Sequence, residues 1–158
     1  MKLDLRIQHS LETICVRLAG LAFPWAVTGS VGLVLSGFDL DPRDLDLETD
    51  AAGAVAIGGR LAVETIEPVR LVAGERVRSH YGRFDVAGVP VEVMGDMSIR
   101  DAAGTWHPGL DFATDVEAVE WRGFTIPVVS LPAQLRMYEH LGRPERIAQL
   151  RHRLASGA

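Results

Sequence analysis

The chain has 158 residues, 47% of them hydrophobic and 23% charged, enough for one ordinary core and too few for two comfortable domains, so a single domain over residues 1–158 is expected. A formal net charge of −5 argues against a broadly basic nucleic-acid surface, because neutralising phosphates takes clustered Lys and Arg. Cys15 is the only cysteine and Lys2 the only lysine among sixteen basic residues, which removes an internal disulfide, a thiolate metal cage, lysine Schiff-base chemistry and a Walker-type phosphate lysine.

The opening MKLDLRIQHS carries no signal-peptide core, and no run reaches the roughly 20 apolar residues of a membrane span; a cytoplasmic location is expected. Leu11, Ile14, Cys15, Leu18 and Leu21 recur at helical spacing behind Ser10, a candidate N-cap, and Phe23-Pro24 stops that helix. Trp25 to Thr28 reads as a short apolar strand ending at Gly29-Ser30, and Val31 to Ser36 as a short helix closed by Gly37. Asp44-Leu45-Asp46-Leu47-Glu48-Thr49 alternates strictly, predicting a strand with leucines on one face and acids on a wet one. Ala51 to Val63 has a helical pattern weakened by Gly53, Gly58 and Gly59. Val69 to Ala73 and Val77 to Val86 read as strands, and Ala87-Gly88 turns the chain into the strand Val89 to Met94, which is expected to end near Gly95. Asp115 to Trp121 and Phe124 to Val129 flank Arg122-Gly123 as a hairpin, and residues 131–155 form a closing helical segment broken at Gly142-Arg143-Pro144.

Strand alternation puts Asp44 and Asp46 on one face about 6.5–7 Å apart, two carboxylates aimed into the same space. Such a pair needs solvent or a cation. Mg²⁺ takes hard oxygen ligands, commonly one or two carboxylates with water and substrate phosphate completing the octahedron. Upstream, the Gly29-Ser30 junction exposes unpaired amides at the start of a helix, where donors and dipole favour an anion. The two halves are complementary: amides and a hydroxyl for phosphate, carboxylates for the metal that bridges to it.

Gly29-Ser30, then thirteen residues, then Asp44-Leu45-Asp46-Leu47 resembles the signature of the nucleotidyltransferase superfamily. The resemblance extends over most of the chain, through RSHYGRFDVAGVPVEVMGD and the tail SLPAQLRMYEHLGRPERIAQLRHRL, which look like small bacterial members of the minimal, antitoxin and antibiotic types. It implies an α+β (α/β) fold, a mixed and mostly antiparallel sheet with flanking helices. It also implies transfer of a nucleoside monophosphate from an NTP such as ATP to an acceptor hydroxyl, with release of pyrophosphate and with Mg²⁺ or Mn²⁺ as cofactor. Family members draw a third carboxylate from a neighbouring strand, and Glu92, flanked by Val91 and Val93, matches that position, with Asp96 beyond Gly95 as its competitor. The resemblance thus gives Asp44, Asp46 and Glu92 as catalytic and metal-binding residues and Gly29 and Ser30 as phosphate-binding ones. A departure is that many relatives carry a lysine in the closing helix, where this chain reads Arg143-Pro144-Glu145-Arg146. The alternative is a catalytically weak nucleotide-binding or antitoxin-like protein kept for association with a protein partner.

Other polar residues point less clearly to chemistry. Arg78, His80, Tyr81 and Arg83 are expected on a solvated strand face, Trp106-His107-Pro108-Gly109 as a turn with a packed tryptophan, and His9, His140 and His152 have no motif around them. A dinucleotide-binding turn fits poorly, since Gly-x-Gly-x-x-Gly is absent and paired carboxylates repel a pyrophosphate.

Overall fold

A computed structural model describes residues 3–157. Helix α1 (Leu5–Arg17) begins at Asp4, whose Oδ1 accepts a hydrogen bond from the Ile7 amide at 2.9 Å. Ser10, expected as the cap, lies instead on the buried face between Ile7, Leu11 and Ile14, and the helix ends at Leu18, ahead of Phe23-Pro24. The apolar stripe starts at Leu3 and Ile7, one turn earlier than the window read behind Ser10, so the carboxylate before that stripe takes the cap.

Strand β1 (Trp25–Thr28) runs into α2 (Gly29–Leu35), β2 (Leu45–Thr49) and α3 (Ala51–Arg60), the last capped by Asp50 through the Gly53 amide at 2.6 Å. A short 3₁₀ turn leads to β3 (Thr65–Ala73), β4 (Val77–Val86) and β5 (Val89–Arg100). After β6 (Trp106–Pro108) come the hairpin β7 (Val116–Trp121) and β8 (Phe124–Val129), then α4 (Leu131–Leu141) and α5 (Pro144–Ser156). Ser130 caps α4, and Gly142 ends it in the left-handed region just before Pro144.

The strands form one eight-stranded sheet in the order β3-β4-β5-β2-β1-β8-β7, with β6 on β5. Pairing is parallel between β1 and β8 and between β2 and β5, and antiparallel elsewhere, which is the mixed, mostly antiparallel α+β architecture expected. One face carries the main core, where Leu45, Leu47, Val91, Val93 and Phe84 pack with Ile7, Leu11 and Ile14 of α1 and Ala54 and Ile57 of α3. At Gly95 a side chain would strike the Asp50 carbonyl and Ala54, so glycine lets α3 lie directly on β5. On the other face, Ala133 of α4 packs on Ala26 and Val129.

Two expectations fail at β5. The strand continues to Arg100 through a bulge, where Asp96 (φ +46) and Met97 stand opposite the single residue Ser79 between the pairs His80–Gly95 and Arg78–Ser98. The extra residue shifts the alternation by one, so Met94 and Met97 line the same cleft. Trp106-His107-Pro108 is a strand, not a turn, pairing Ser98, Ile99 and Arg100 beyond the point where β2 ends, and the Arg78 guanidinium covers Trp106 at 3.5 Å from the ring centroid.

Candidate active site

The cleft opens on the α4 face of the sheet, where β1, β2 and β5 lie side by side. Thr28 pairs with Asp46 across the antiparallel β1–β2 ladder, and Asp46 pairs with Glu92 across the parallel β2–β5 ladder. Cross-strand partners project to one face, so one row of the sheet carries Thr28, Asp46 and Glu92 together. Leu45 and Leu47, fully buried on the opposite face, set that register, because a slip of one residue would drive both acids into the core. Asp44, exposed and one residue ahead of β2, is close enough to add its charge to Asp46.

Burial, then the charges of Asp44 and Glu92 and a hydrogen bond with Glu92, push the Asp46 carboxyl up to about 7. Glu92 is fixed from the other side: Tyr81 on β4 donates its hydroxyl to Glu92 Oε1 at 2.7 Å. That bond joins burial in pushing the Tyr81 phenol up to about 12. Asp96, in the bulge, is exposed and lines a neighbouring depression with Pro108, Leu110 and Phe112 that borders the cleft at Glu48 and Met97. The structure therefore brings Glu92, not Asp96, beside Asp46.

Gly29 follows Thr28 at the first position of α2 with φ +63, and a side chain built there would run into the Asp46 carboxylate. Only glycine leaves the backbone open at this point. Ser30 is half-buried, and its hydroxyl accepts a hydrogen bond from Arg146 Nη2 of α5 at 3.4 Å.

The acid face is not uniformly wet. Glu48, expected beside Asp46 in solvent, is 2% exposed and has a carboxylate oxygen with no partner. Burial, resisted by a hydrogen bond from Thr28 and reinforced by the charges of Asp46 and Asp115, pushes its carboxyl up to about 8. Below it, burial works against ionisation of Asp115, yet the Arg136 guanidinium at 2.7 Å holds that carboxyl below its usual range. Helix α4 converts an open face into a lined one by closing over Glu48.

The far wall consists of Gln134, Met137, Tyr138 and Leu141 of α4 with Arg143 in the α4–α5 turn, giving a cleft of about 380 Å³ floored by Asp46, Glu48, Glu92, Met94 and Met97. Gln134 is fixed by donating to the Val129 carbonyl at 3.1 Å. Burial raises the Tyr138 phenol, with the Arg146 and Arg143 charges opposing and that of Asp46 adding to it, so two cations and one acid surround one hydroxyl. The expectation named neither Tyr138 nor the two arginines as site residues. Their signal was the departure already visible in Arg143-Pro144-Glu145-Arg146: with no lysine in the closing helices, arginine is the remaining cation that can reach the cleft.

A sheet of this topology with a Gly-Ser junction and crowded acids on neighbouring strands defines a nucleotidyltransferase. The profile of the aminoglycoside-2''-adenylyltransferase family matches residues 10–155, and the chain belongs to that family. Among solved structures, the Thermotoga maritima protein TM1012, described as a nucleotidyltransferase, is 33% identical, with a TM-score of 0.84 and coverage of 98% of this chain and 96% of that one. The lincosamide antibiotic adenylyltransferase LnuA, solved with lincomycin bound, is 15% identical at a TM-score of 0.57, covering 90% of this chain and 94% of its own. The antibiotic-resistance factor ANT(2'')-Ia is 12% identical at a TM-score of 0.51, covering 93% and 90%. At those identities the last two share the fold. No curated protein matches the chain by sequence. Among the described residues, no helix is long and apolar enough to cross a membrane.

Proposed function

We propose that the chain is a Mg²⁺-dependent adenylyltransferase that moves AMP from ATP to a hydroxyl of a small-molecule acceptor and releases pyrophosphate. The observation that carries this reading is the Thr28–Asp46–Glu92 row, in which burial and two neighbouring acids raise the Asp46 carboxyl to about 7. Carboxylates crowded in this way repel one another when ionised, and a divalent cation relieves that repulsion while accepting all-oxygen ligands. The donor set therefore fits Mg²⁺, which Asp44, Asp46 and Glu92 would hold. When bound, the ion supplies charge neutralisation and polarisation at the phosphoryl group under attack.

The chain's own residues do the rest. Arg143 and Arg146 bring positive charge to the Ser30 side of the cleft and would bind the β- and γ-phosphates together with the Ser30 hydroxyl and the amides around Gly29. The Glu92 carboxylate, oriented by Tyr81, would take the proton of the acceptor hydroxyl as its oxygen bonds to the α-phosphorus and the bond to pyrophosphate breaks. Met94, Met97, Met137 and Leu141 offer an apolar surface beside the acids, suited to a compact acceptor with both apolar and hydroxylated parts.

The test is incubation with α-labelled ATP and Mg²⁺ against lincosamide, aminoglycoside, protein and RNA acceptors, with pyrophosphate release measured in parallel. Label on a small-molecule hydroxyl is expected, and chelation should abolish it. Label on protein or RNA would replace the acceptor class. ATP binding that survives chelation unchanged, with neither label transfer nor pyrophosphate, would sink the enzymatic reading in favour of a nucleotide-binding partner protein.

A further inference from the structure

At the far end of β5 lies a polar cluster that the acid row does not use. Asp101 follows β5, His107 sits in β6 and His140 in the last turn of α4. His107 Nε2 lies 2.7 Å from Asp101 Oδ2, and the His107 and His140 rings stack with centroids 3.8 Å apart and planes 9° from parallel. One donor atom from each residue, two imidazole nitrogens and a carboxylate oxygen, falls within 4.8 Å of the other two, and all three residues are half-buried. Arg76 ties the same segments together, donating to the His140 carbonyl at 3.0 Å and to the Arg100 carbonyl at 3.4 Å.

We propose that Asp101, His107 and His140 form a second metal site, selective for a borderline transition cation such as Zn²⁺, that straps the β5–β6 end of the sheet to α4. The stack brings two imidazoles together beside a carboxylate, so three potential ligand atoms converge from three separate segments of the chain. Two imidazoles and one carboxylate are a ligand set that zinc accepts, with water in the fourth position, whereas Mg²⁺ favours oxygens alone. Zinc bonds of about 2.0–2.2 Å in tetrahedral geometry place donors roughly 3.3 Å apart. The three donors reach that spacing by turning the rings out of their stack, a side-chain rotation at the end of a helix and on a three-residue strand. His140 lies two residues beyond Tyr138, so an ion held here fixes the last turn of the helix that walls the cleft. The inference is independent of the reaction proposed above, because it uses different residues and a different class of ion.

The experiment is calorimetric titration of the full, chelator-stripped chain with Zn²⁺ in excess Mg²⁺, so that hard-oxygen sites are already filled. One Zn²⁺ should bind to the wild type and to Asp46→Asn. Loss of an outer-shell partner alone typically lowers metal affinity about 10–100-fold, so His140→Gln and His107→Gln should each weaken binding by at least that much. In the wild type, nuclear magnetic resonance of the imidazoles should show Zn²⁺ shifting His107 and His140 while His9, His80 and His152 stay in place, a readout independent of whether any variant folds. Absence of Zn²⁺ uptake in excess Mg²⁺, unshifted His107 and His140 resonances, wild-type affinity in both histidine variants, or loss of binding in Asp46→Asn would each overturn the proposal.

Discussion

The two faces of β2 and β5 obey opposite rules. On one, Leu45, Leu47, Val91 and Val93 are fully buried against α1 and α3, each such side chain contributing roughly 1.5–3 kcal/mol through removal from water. On the other, Asp46, Glu48 and Glu92 gather under α4, where burial and neighbouring charge make the Asp46 and Glu48 carboxyls resist ionisation. The same ten or so residues of chain thus hold the fold together on one side and stand poised against it on the other. A crowded acid face is tolerated because the apolar face fixes the register, and under the proposed function that crowding would favour a cation.

That contrast is broken most severely by neutralising the acid row. Glu92→Gln should leave ATP affinity nearly intact and lower the rate of AMP transfer by about 10²–10⁴-fold, the usual worth of a positioned base, while circular dichroism stays as in the wild type. Label transfer in single-turnover assays measures it, and near-normal turnover would remove Glu92 from the chemistry. On the opposite face the pattern should invert. Leu47→Ala, which leaves a cavity beneath Asp46, should destabilise the chain by roughly 2–5 kcal/mol, yet activity per folded molecule should fall far less than in Glu92→Gln. Urea titration combined with active-site counting separates the two effects.

A smaller perturbation probes the seam between the faces. Gly29→Ala places a side chain at φ +63 against the Asp46 carboxylate, with strain of about 1–2 kcal/mol for the left-handed backbone. The expected outcome is a modest drop in melting temperature with a larger drop in Mg²⁺-ATP affinity. Equal affinity in the variant would show that the Gly29 backbone does not meet the nucleotide.

The pH dependence sharpens the comparison further. Asp46 and Glu48 bind their protons more tightly folded than unfolded, rising from 3.8 to about 7 and from 4.5 to about 8. Their contribution to stability is therefore fully present below about pH 4 and is lost as pH rises through 7 and 8. With chelator, melting temperature should decline across that window, and Mg²⁺ should oppose the decline by pairing with the ionised acids. Asp46→Asn should flatten the metal-free curve. A metal-free curve that rises between pH 5 and 8 would contradict the burial assigned to these two groups. Asp96→Asn is expected to change least of all, since its carboxylate is exposed in the β5 bulge and lies outside the Thr28–Asp46–Glu92 row.

Much of the fold was legible in local pattern. Trp25–Thr28, Val77–Val86 and Phe124–Val129 appear with the bounds read from alternation and turn residues, and the break at Gly142-Arg143-Pro144 separates α4 from α5. Local pattern failed where a longer-range partner outweighed it. The bulge at Asp96 depends on how β4 runs alongside, and β6 exists because β2 ends and leaves an unpaired edge on β5. Neither neighbour can be seen in the few residues concerned.

The sequence by itself determined which residues are acids, that strand period separates them from the leucines, and that glycine stands where the backbone must remain open beside Asp46. Those properties depend on a few neighbouring residues and their allowed backbone angles. Tertiary structure alone decided that Glu48 would be dry while Asp46 lines a cleft, that Tyr81 would hold Glu92, that Arg143 would line the cleft and Arg146 would reach Ser30, and that His107 would meet His140 across the sheet and α4. These outcomes join different elements of the fold: Tyr81 reaches Glu92 across the β4–β5 ladder, and the others depend on how α4 and α5 pack on a sheet whose register the leucines impose.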